Sequence, residues 1–331
     1  MRLAITAFVI GFSPAIAFAQ SSLTAEAINS AALNSLIDTA AVESGATTAD
    51  TDEPDPAMIR LQVLLDRAGA SPGVIDGYDG ENVSKAVRAF ETMRGLPADG
   101  QLDDAVISAL ETSNDPVAGT YQITAEDLAE IGDPIPEDYK EMAEREFLGY
   151  ASIQEDIAER FHMDIDLLAK LNPGASFSEG DQVIVTAYGP DLSAEVARIE
   201  ADKGLRQLRA YDANDNLVVA YPATIGSTSN PSPSGTHEVM GVAEMPNYTY
   251  NPDVNFQQGD NAEKLLIPPG PNGPVGSMWI DLSEPTFGIH GTPEPALIDK
   301  TNSHGCVRLT NWDANELAKM VKPGVEVVFV D

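Results

Sequence analysis

The 331-residue sequence predicts a multidomain chain: a small all-α module, a small α+β module, and a mostly-β, β-sandwich-like domain with one main helix. Three observations support this. Apolar residues recur at helical spacing over 57–111. Two helical patterns and a short apolar strand fill 147–188. Short strand-like runs, separated by Gly, Pro and Asn turns, occupy 193–331. The length itself fits two or three domains at roughly 100–200 residues each.

Residues 1–19 read as a signal peptide. Arg2 starts it, Leu3 to Phe12 forms an apolar core, Pro14 breaks the run, and Ala17-Phe18-Ala19 precedes a cleavage point at Gln20. The run is shorter than the roughly 20 apolar residues a bilayer span needs, so no stable membrane insertion is expected after cleavage. No cysteine follows it, which closes the lipoprotein route. Residues 20–56 are rich in Ala, Ser, Thr and Asp and read as a flexible tether with a short helix over 24–37.

In 57–111, Met58, Leu61, Leu64 and Leu65 mark one helix and Val83, Ala86, Val87 and Phe90 a second. Turn chemistry over 71–80 separates them, and the loop 95–100 leads to a short helix over 103–110. Residues 112–146 read as an acidic connector. Helices over 153–161 and 166–171 follow, closed by Asn172-Pro173-Gly174, with a strand over 182–186. His162 reads as a packing or surface residue.

The last unit starts with a hairpin, 205–211 and 217–221, around the turn 212–216. A strand over 236–242 carries His237, which reads as structural. The Pro/Gly/Asn-rich stretch 246–276 is expected to be a functional loop of the lid type. Strands over 278–282 and 286–289 precede a helix opened by Thr310-x-x-Asp313, a capping-box pattern. Ala314, Leu317 and Val321 share one face of it, Pro323-Gly324 stops it, and 325–330 is a final strand.

Net charge is −33, which argues against nucleic acid as partner because phosphate binding needs basic patches. An acidic, solvated surface is the reading that remains. No cofactor pattern is visible. Three histidines and one cysteine fit no common zinc spacing, so no metal is expected.

Cys306 is the single cysteine, so it closes no internal disulfide. In an exported chain an unpaired thiol implies a task. It sits in Ser303-His304-Gly305-Cys306-Val307-Arg308, downstream of His290-Gly291-Thr292. A thiolate nucleophile needs a nearby base and bare N–H groups for an oxyanion. His290 and His304 both qualify as the base on residue type. The N–H groups of Gly305 and Cys306 are the oxyanion candidates. Ser303 reads as a structural hydrogen-bonder. Arg308 suits either a substrate carboxylate, held bidentately, or an internal ion pair.

This constellation resembles the catalytic domain of L,D-transpeptidases (YkuD-like, ErfK/YbiS type). Tyr221-Pro222-Ala223-Thr224-Ile225-Gly226, Pro233-Ser234-Gly235-Thr236 and Pro268-Pro269-Gly270-Pro271-Asn272 agree with it upstream. The resemblance covers about 195–331 and departs at Arg308, where some branches carry Asn. It implies Cys306 as nucleophile, His290 as base with the Gly291 carbonyl orienting its ring, and His304 as a pocket or electrostatic group. Residues 57–111 resemble the peptidoglycan-binding domain family, through Asp76-Gly77-x-x-Gly80, Ala89-Phe90 and Gly95-Leu96-x-x-Asp99-Gly100. Residues 147–188 resemble a LysM-type module, through Leu167-Leu168-x-x-Leu171-Asn172-Pro173-Gly174 and Gly180-Asp181-Gln182-Val183-Ile184-Val185, with a weak first strand.

The resemblances imply a periplasmic, cell-wall-associated transferase in peptidoglycan biosynthesis, relevant to wall organisation and cell shape. The acyl donor would be a peptidoglycan stem peptide and the acceptor an amine: a second stem (a 3→3 cross-link), a lipoprotein lysine or a D-amino acid. Carbapenems would acylate the same thiol. Water as acceptor would make the protein an L,D-carboxypeptidase or hydrolase. A non-catalytic peptidoglycan-binding protein is the reading from another class.

Overall fold

The computed structural model describes residues 23–37, 53–254 and 256–331. The expected signal peptide, 1–19, lies outside the described residues, as does much of the expected tether. No helix among the described residues is long and apolar enough to cross a membrane.

Part of that tether is docked. In α1 (Ala25–Ser30), the Thr24 side chain caps the Ala27 N–H. Leu23, Ile28 and Leu33 are buried. Asn29 accepts from the N–H groups of Val117 and Ala118 at 2.7 and 2.9 Å. Three buried apolar side chains and a bridging amide correct the tether reading for 23–37.

The helical unit comprises α2 (Pro56–Arg67), α3 (Glu81–Arg94) and α4 (Asp104–Leu110). Asp55 caps α2 ahead of a first-turn proline, and Gly95 ends α3 in the left-handed region. Met58, Leu61, Leu65, Val83, Val87, Phe90, Val106 and Leu110 share one core. Leu217 and Ala220 of the last unit belong to it as well.

The second small unit begins earlier than expected. The presumed connector supplies β1 (Ala118–Gln122), α5 (Ala125–Ala129) and α6 (Tyr139–Met142). Then come α7 (Ile153–Arg160), α8 (Ile165–Leu171) and β2 (Gln182–Thr186). β1 pairs antiparallel with β2, from Ala118 opposite Thr186 to Gln122 opposite Gln182. Ala118-Gly119-Thr120 carries almost no strand signal, so β1 depends on this pairing. His162 stacks between Tyr188 and Trp312, with Nδ1 3.0 Å from Asp66.

The last unit contains β3 (Arg198–Asp202), β4 (Gln207–Tyr211), β5 (Leu217–Pro222), β6 (Thr224–Ile225), β7 (Gly235–Glu244), β8 (Tyr248–Tyr250), β9 (Leu265–Ile267), β10 (Met278–Leu282), β11 (Gly288–His290), β12 (Val307–Arg308), α9 (Asn311–Met320) and β13 (Glu326–Val330). Apart from the hairpin β8–β9, these strands form one nine-stranded sheet in the order β5-β4-β3-β13-β7-β10-β11-β12-β6. β5 and β6 stand at opposite ends of that order, yet only Ala223 separates them in sequence. The sheet therefore curls until its ends meet. β7 is the fold line: Gly235–Glu238 pair with β13, and Val239–Glu244 pair with β10. Both halves feed one core, including Ile199, Val219, Ile280, Ile289, Val307 and Val327. α9 covers it with Ala314, Leu317 and Met320, and Thr310 caps the Asp313 N–H at 3.1 Å.

Three differences from expectation concern this unit. β3 was not anticipated; its alternating Arg-Ile-Glu-Ala-Asp run is short and charged. The 246–276 stretch is not structureless but holds the β8–β9 hairpin, whose Tyr250 packs edge-on against Tyr139 of α6 at 5.3 Å. The Asp313 carboxylate faces Ser71 Oγ at 3.2 Å, so only half of the capping box forms.

The units are docked. The edge of β5 is covered by 69–71: Ser71 N–H donates to Ala220 O and Ala220 N–H to Gly69 O, at 2.9 and 2.8 Å. The loop ahead of β10 is clamped to the second unit. Leu148 N–H donates to Pro269 O and Asn272 N–H to Leu148 O, at 2.8 and 3.0 Å. A Cβ on Gly270, at φ +150°, would lie 2.1 Å from Leu148 O.

Glu159 of α7 is buried at this junction, and burial pushes its pKa up to about 8 despite a hydrogen bond from Asn311. An unfolded glutamate ionises near 4.3. The folded state thus holds an extra proton between these values, and stability falls as pH rises through the window. Glu159→Gln cannot ionise. Its Tm should gain on the wild type between pH 6 and 9 by about 5 °C, equivalent to on the order of 2 kcal/mol, and paired thermal melts check this.

Candidate active site

Three neighbouring strands build the site. β10 pairs with β11 so that Trp279 faces His290. β11 pairs in parallel with β12, with Ile289 opposite Val307 and His290 opposite Arg308. Cys306 immediately precedes β12, level with Gly288. Because strand side chains alternate, Cys306 and Arg308 project to the face that carries His290. All three, with His304, line one cavity of about 110 Å³. Tyr139, Tyr248, Phe256 and Trp279 form its aromatic walls.

His290 is buried, and its Nδ1 lies 2.7 Å from Gly291 O. A carbonyl can only accept, so Nδ1 carries the proton and Nε2 is left as the acceptor. The ring also stacks against Trp279 at 5.5 Å and 18°. Burial, then the Arg308 charge, push its pKa down to about 3, so the ring is neutral over the physiological range. His304 is exposed, its ring stacked on Phe256 of the 246–276 stretch at 3.8 Å and 10°. Burial against that wall and the Arg308 charge lower its pKa as well.

Cys306 is half-buried, with Sγ 3.8 Å from Thr286 O. Burial pushes the thiol pKa up, and the Gly288 N–H and the Arg308 charge oppose that rise. Thr286 sits at φ +75°, a costly conformation for a β-branched residue, directly beside the sulfur. Ser303 pins the cysteine loop: its hydroxyl donates to Cys306 O at 2.6 Å and accepts from Gly226 N–H at 2.7 Å. It also accepts from Gly305 N–H at 3.3 Å, so this expected oxyanion donor is directed at a side chain. Gly305 has φ +111°, and a Cβ there would meet Phe287 Cε1 at 2.6 Å. Only glycine fits.

Arg308 makes no ion pair among the described residues, although the chain carries 52 acidic ones. Its charge acts on Cys306, His290, His304, Tyr139 and Tyr248. Burial raises the pKa of Tyr139 to about 12 and that of Tyr248 further, so neither hydroxyl supplies a counter-charge. The site thus presents an uncompensated guanidinium beside a thiol and a neutral imidazole.

Residues 197–330 match the L,D-transpeptidase catalytic domain family. Over 177 residues the chain is 33% identical to the YkuD protein of Bacillus licheniformis, itself named as an L,D-transpeptidase, across 52% of this chain and 90% of that one. The chain belongs to the L,D-transpeptidase family. The chain is also 27% identical, over 189 residues, to the ErfK/SrfK protein of Escherichia coli, covering 54% of this chain and 59% of that one. Residues 54–110 match a peptidoglycan-binding domain family. Among solved structures, an L,D-transpeptidase from Mycobacterium smegmatis aligns at TM-score 0.34 and 19% identity, over 46% of this chain and 75% of that one.

Several residues of this site carry little or no signal in the sequence. Trp279 was legible in principle, because the short connection between two predicted strands limits their register. Tyr139 and Tyr248 carry no local signal; long-range packing brings them in. A neutral histidine beside a high-pKa thiol has a kinetic signature. Alkylation of Cys306 by iodoacetamide should rise about tenfold per pH unit from pH 6 to 8, with no inflection near 6.5. A plateau already reached at pH 6 would mean a preformed thiolate–imidazolium pair.

Proposed function

We propose that this L,D-transpeptidase is exported to the periplasm and uses Cys306 as the nucleophile of acyl transfer between peptidoglycan stems. One observation carries the reading: Cys306, His290 and Arg308 share one face and one cavity, and the arginine makes no ion pair among the described residues. His290 Nε2 takes the Sγ proton as sulfur attacks the carbonyl of the donor's third residue, a meso-diaminopimelate-type centre. The tetrahedral oxyanion is met by the Cys306 N–H, joined by Gly305 N–H once that swings from Ser303. Collapse expels terminal D-Ala, whose nitrogen takes the proton from His290, and leaves a thioester on Cys306. An acceptor amine attacks the thioester, loses a proton to His290, and the thiol re-forms.

Arg308 holds a donor carboxylate in this scheme. That carboxylate also cancels the charge that depresses His290, so the base strengthens when the donor is seated. His304 shapes the wall with Phe256. Transfer is favoured over hydrolysis by the small aromatic-lined cavity, which limits water beside the thioester. The acceptor is a second stem, giving a 3→3 cross-link, or a lipoprotein lysine or free D-amino acid. The peptidoglycan-binding unit, and a LysM-like unit that takes β1 as its missing first strand, hold the enzyme at the wall.

Mass spectrometry of muropeptides tests this with the full chain. Tetrapeptide donor plus amine should yield product and free D-Ala, with little tripeptide. Cys306→Ala should lose turnover at least 1,000-fold while melting like the wild type, and should also lose the carbapenem mass adduct that the intact thiol forms. Dominant tripeptide would make the protein a carboxypeptidase, and a turning-over Cys306→Ala would end the reading.

The two histidines separate by role. His290→Ala should lower kcat by about 100-fold or more, as for a general base, and His304→Ala by about tenfold or less. The reverse order would exchange them.

A further inference from the structure

Asn311, the first residue of α9, stands behind the catalytic histidine and is 3% exposed. Its Oδ1 occupies the space that a side chain would need at two glycines: a Cβ on Gly291 or on Gly276 would lie 2.1 Å from it. The same oxygen accepts from Ser277 N–H at 3.0 Å. Its Nδ2 donates to Pro271 O at 3.2 Å and to Glu159 Oε2, on α7 of the second small unit, at 2.9 Å. Gly291 is the residue whose carbonyl receives His290 Nδ1–H. A glycine peptide is free to rotate unless something outside the chain segment holds it.

We propose that Asn311, held by Glu159, is the positioning residue of His290: it locks the Gly291 peptide so that the carbonyl selects one imidazole tautomer and orientation. The proposal rests on the reading of His290 as the base. It makes the second small unit a structural part of the active site as well as a wall anchor. Glu159 suits the task because, kept protonated by its burial, it offers an acceptor without placing a charge behind the histidine. Tyr150 Oη donates to the same Oε2 at 3.4 Å.

Nitrogen-15 NMR of histidine-labelled full-length protein reads the tautomer directly, and four histidines make the spectrum assignable. The wild type should show His290 only as the Nδ1–H form at pH 7. Asn311→Ala should show mixed tautomers and a kcat lower by about tenfold or more, with KM within about threefold. Glu159→Gln, which keeps the acceptor, should retain both wild-type values, and Glu159→Leu should reproduce part of the loss. If Asn311→Ala does not fold, Glu159→Leu decides by the same readout. A folded Asn311→Ala with the wild-type tautomer overturns the proposal, whatever its activity. A tautomer change with unaltered turnover upholds the positioning and removes His290 from the chemistry.

Discussion

Two residue pairs, Ile289 with Val307 and His290 with Arg308, join β11 to β12 and carry the geometry of the whole site. The contact is parallel, is joined by the long connection 291–306, which contains a 3-10 turn over Pro295–Leu297, and is only two residues long. Such a pairing does not hold itself. It persists because β10 flanks it on one side and β6 on the other, so that both strands are interior to the sheet. Ser303 fastens the loop ahead of β12 to Gly226 just beyond β6. A slip of one residue would turn Cys306 away from the cavity. The buried Val307 and Ile289, both fully enclosed, penalise that slip at roughly 1.5–3 kcal/mol for each side chain exposed.

The electrostatics follow from the same placement. Enclosing His290 against Trp279 removes water from the ring, and Arg308 directly opposite adds a like charge if the ring protonates. Both effects favour the neutral imidazole, which is the form a base must have. The same burial favours the neutral thiol, whose pKa therefore rises, so it stays protonated. The resting site therefore avoids a standing thiolate, which would be prone to oxidation. Under the proposed mechanism, reactivity rises when a donor carboxylate arrives at Arg308. An internal ion pair at that arginine would have removed the coupling, which is why its lack of a partner among the described residues matters to the chemistry.

What the sequence made legible tracks how local each signal is. The hairpin β4–β5, the helix α9 with its Thr310 cap, and the final strand were readable because turn residues and periodicity sit within ten or so positions. Cys306 was readable because it is single and lies among glycine and histidine. Residue type does not separate His290 from His304 as candidate bases; strand register sets a buried His290 in the cavity wall, and His304 is exposed against Phe256. β1 and β12 were invisible for one reason. Each is short, and its strand conformation comes from a partner distant in sequence: Ala118 pairs with Thr186, 68 residues on. Asn311 reads as an ordinary first-turn helix residue, and only the close approach of Gly276 and Gly291 reveals its other face.

The docking of the small units bears on how such an enzyme meets an insoluble substrate. Modules on flexible linkers raise local concentration but leave the active site indifferent to them. Here the edge of β5 is closed by 69–71 of the helical unit, and the loop bearing Gly276 is tied to Leu148, Gly149 and Glu155. Removing these contacts would expose a sheet edge and free the backbone behind His290. The small units and the catalytic sheet are therefore docked together, and under the proposed function a stem peptide would come to Cys306 at an angle set by where the peptidoglycan-binding unit holds the wall. A rigid grip narrows the set of stems within reach, and it does so without any contact to the acceptor itself.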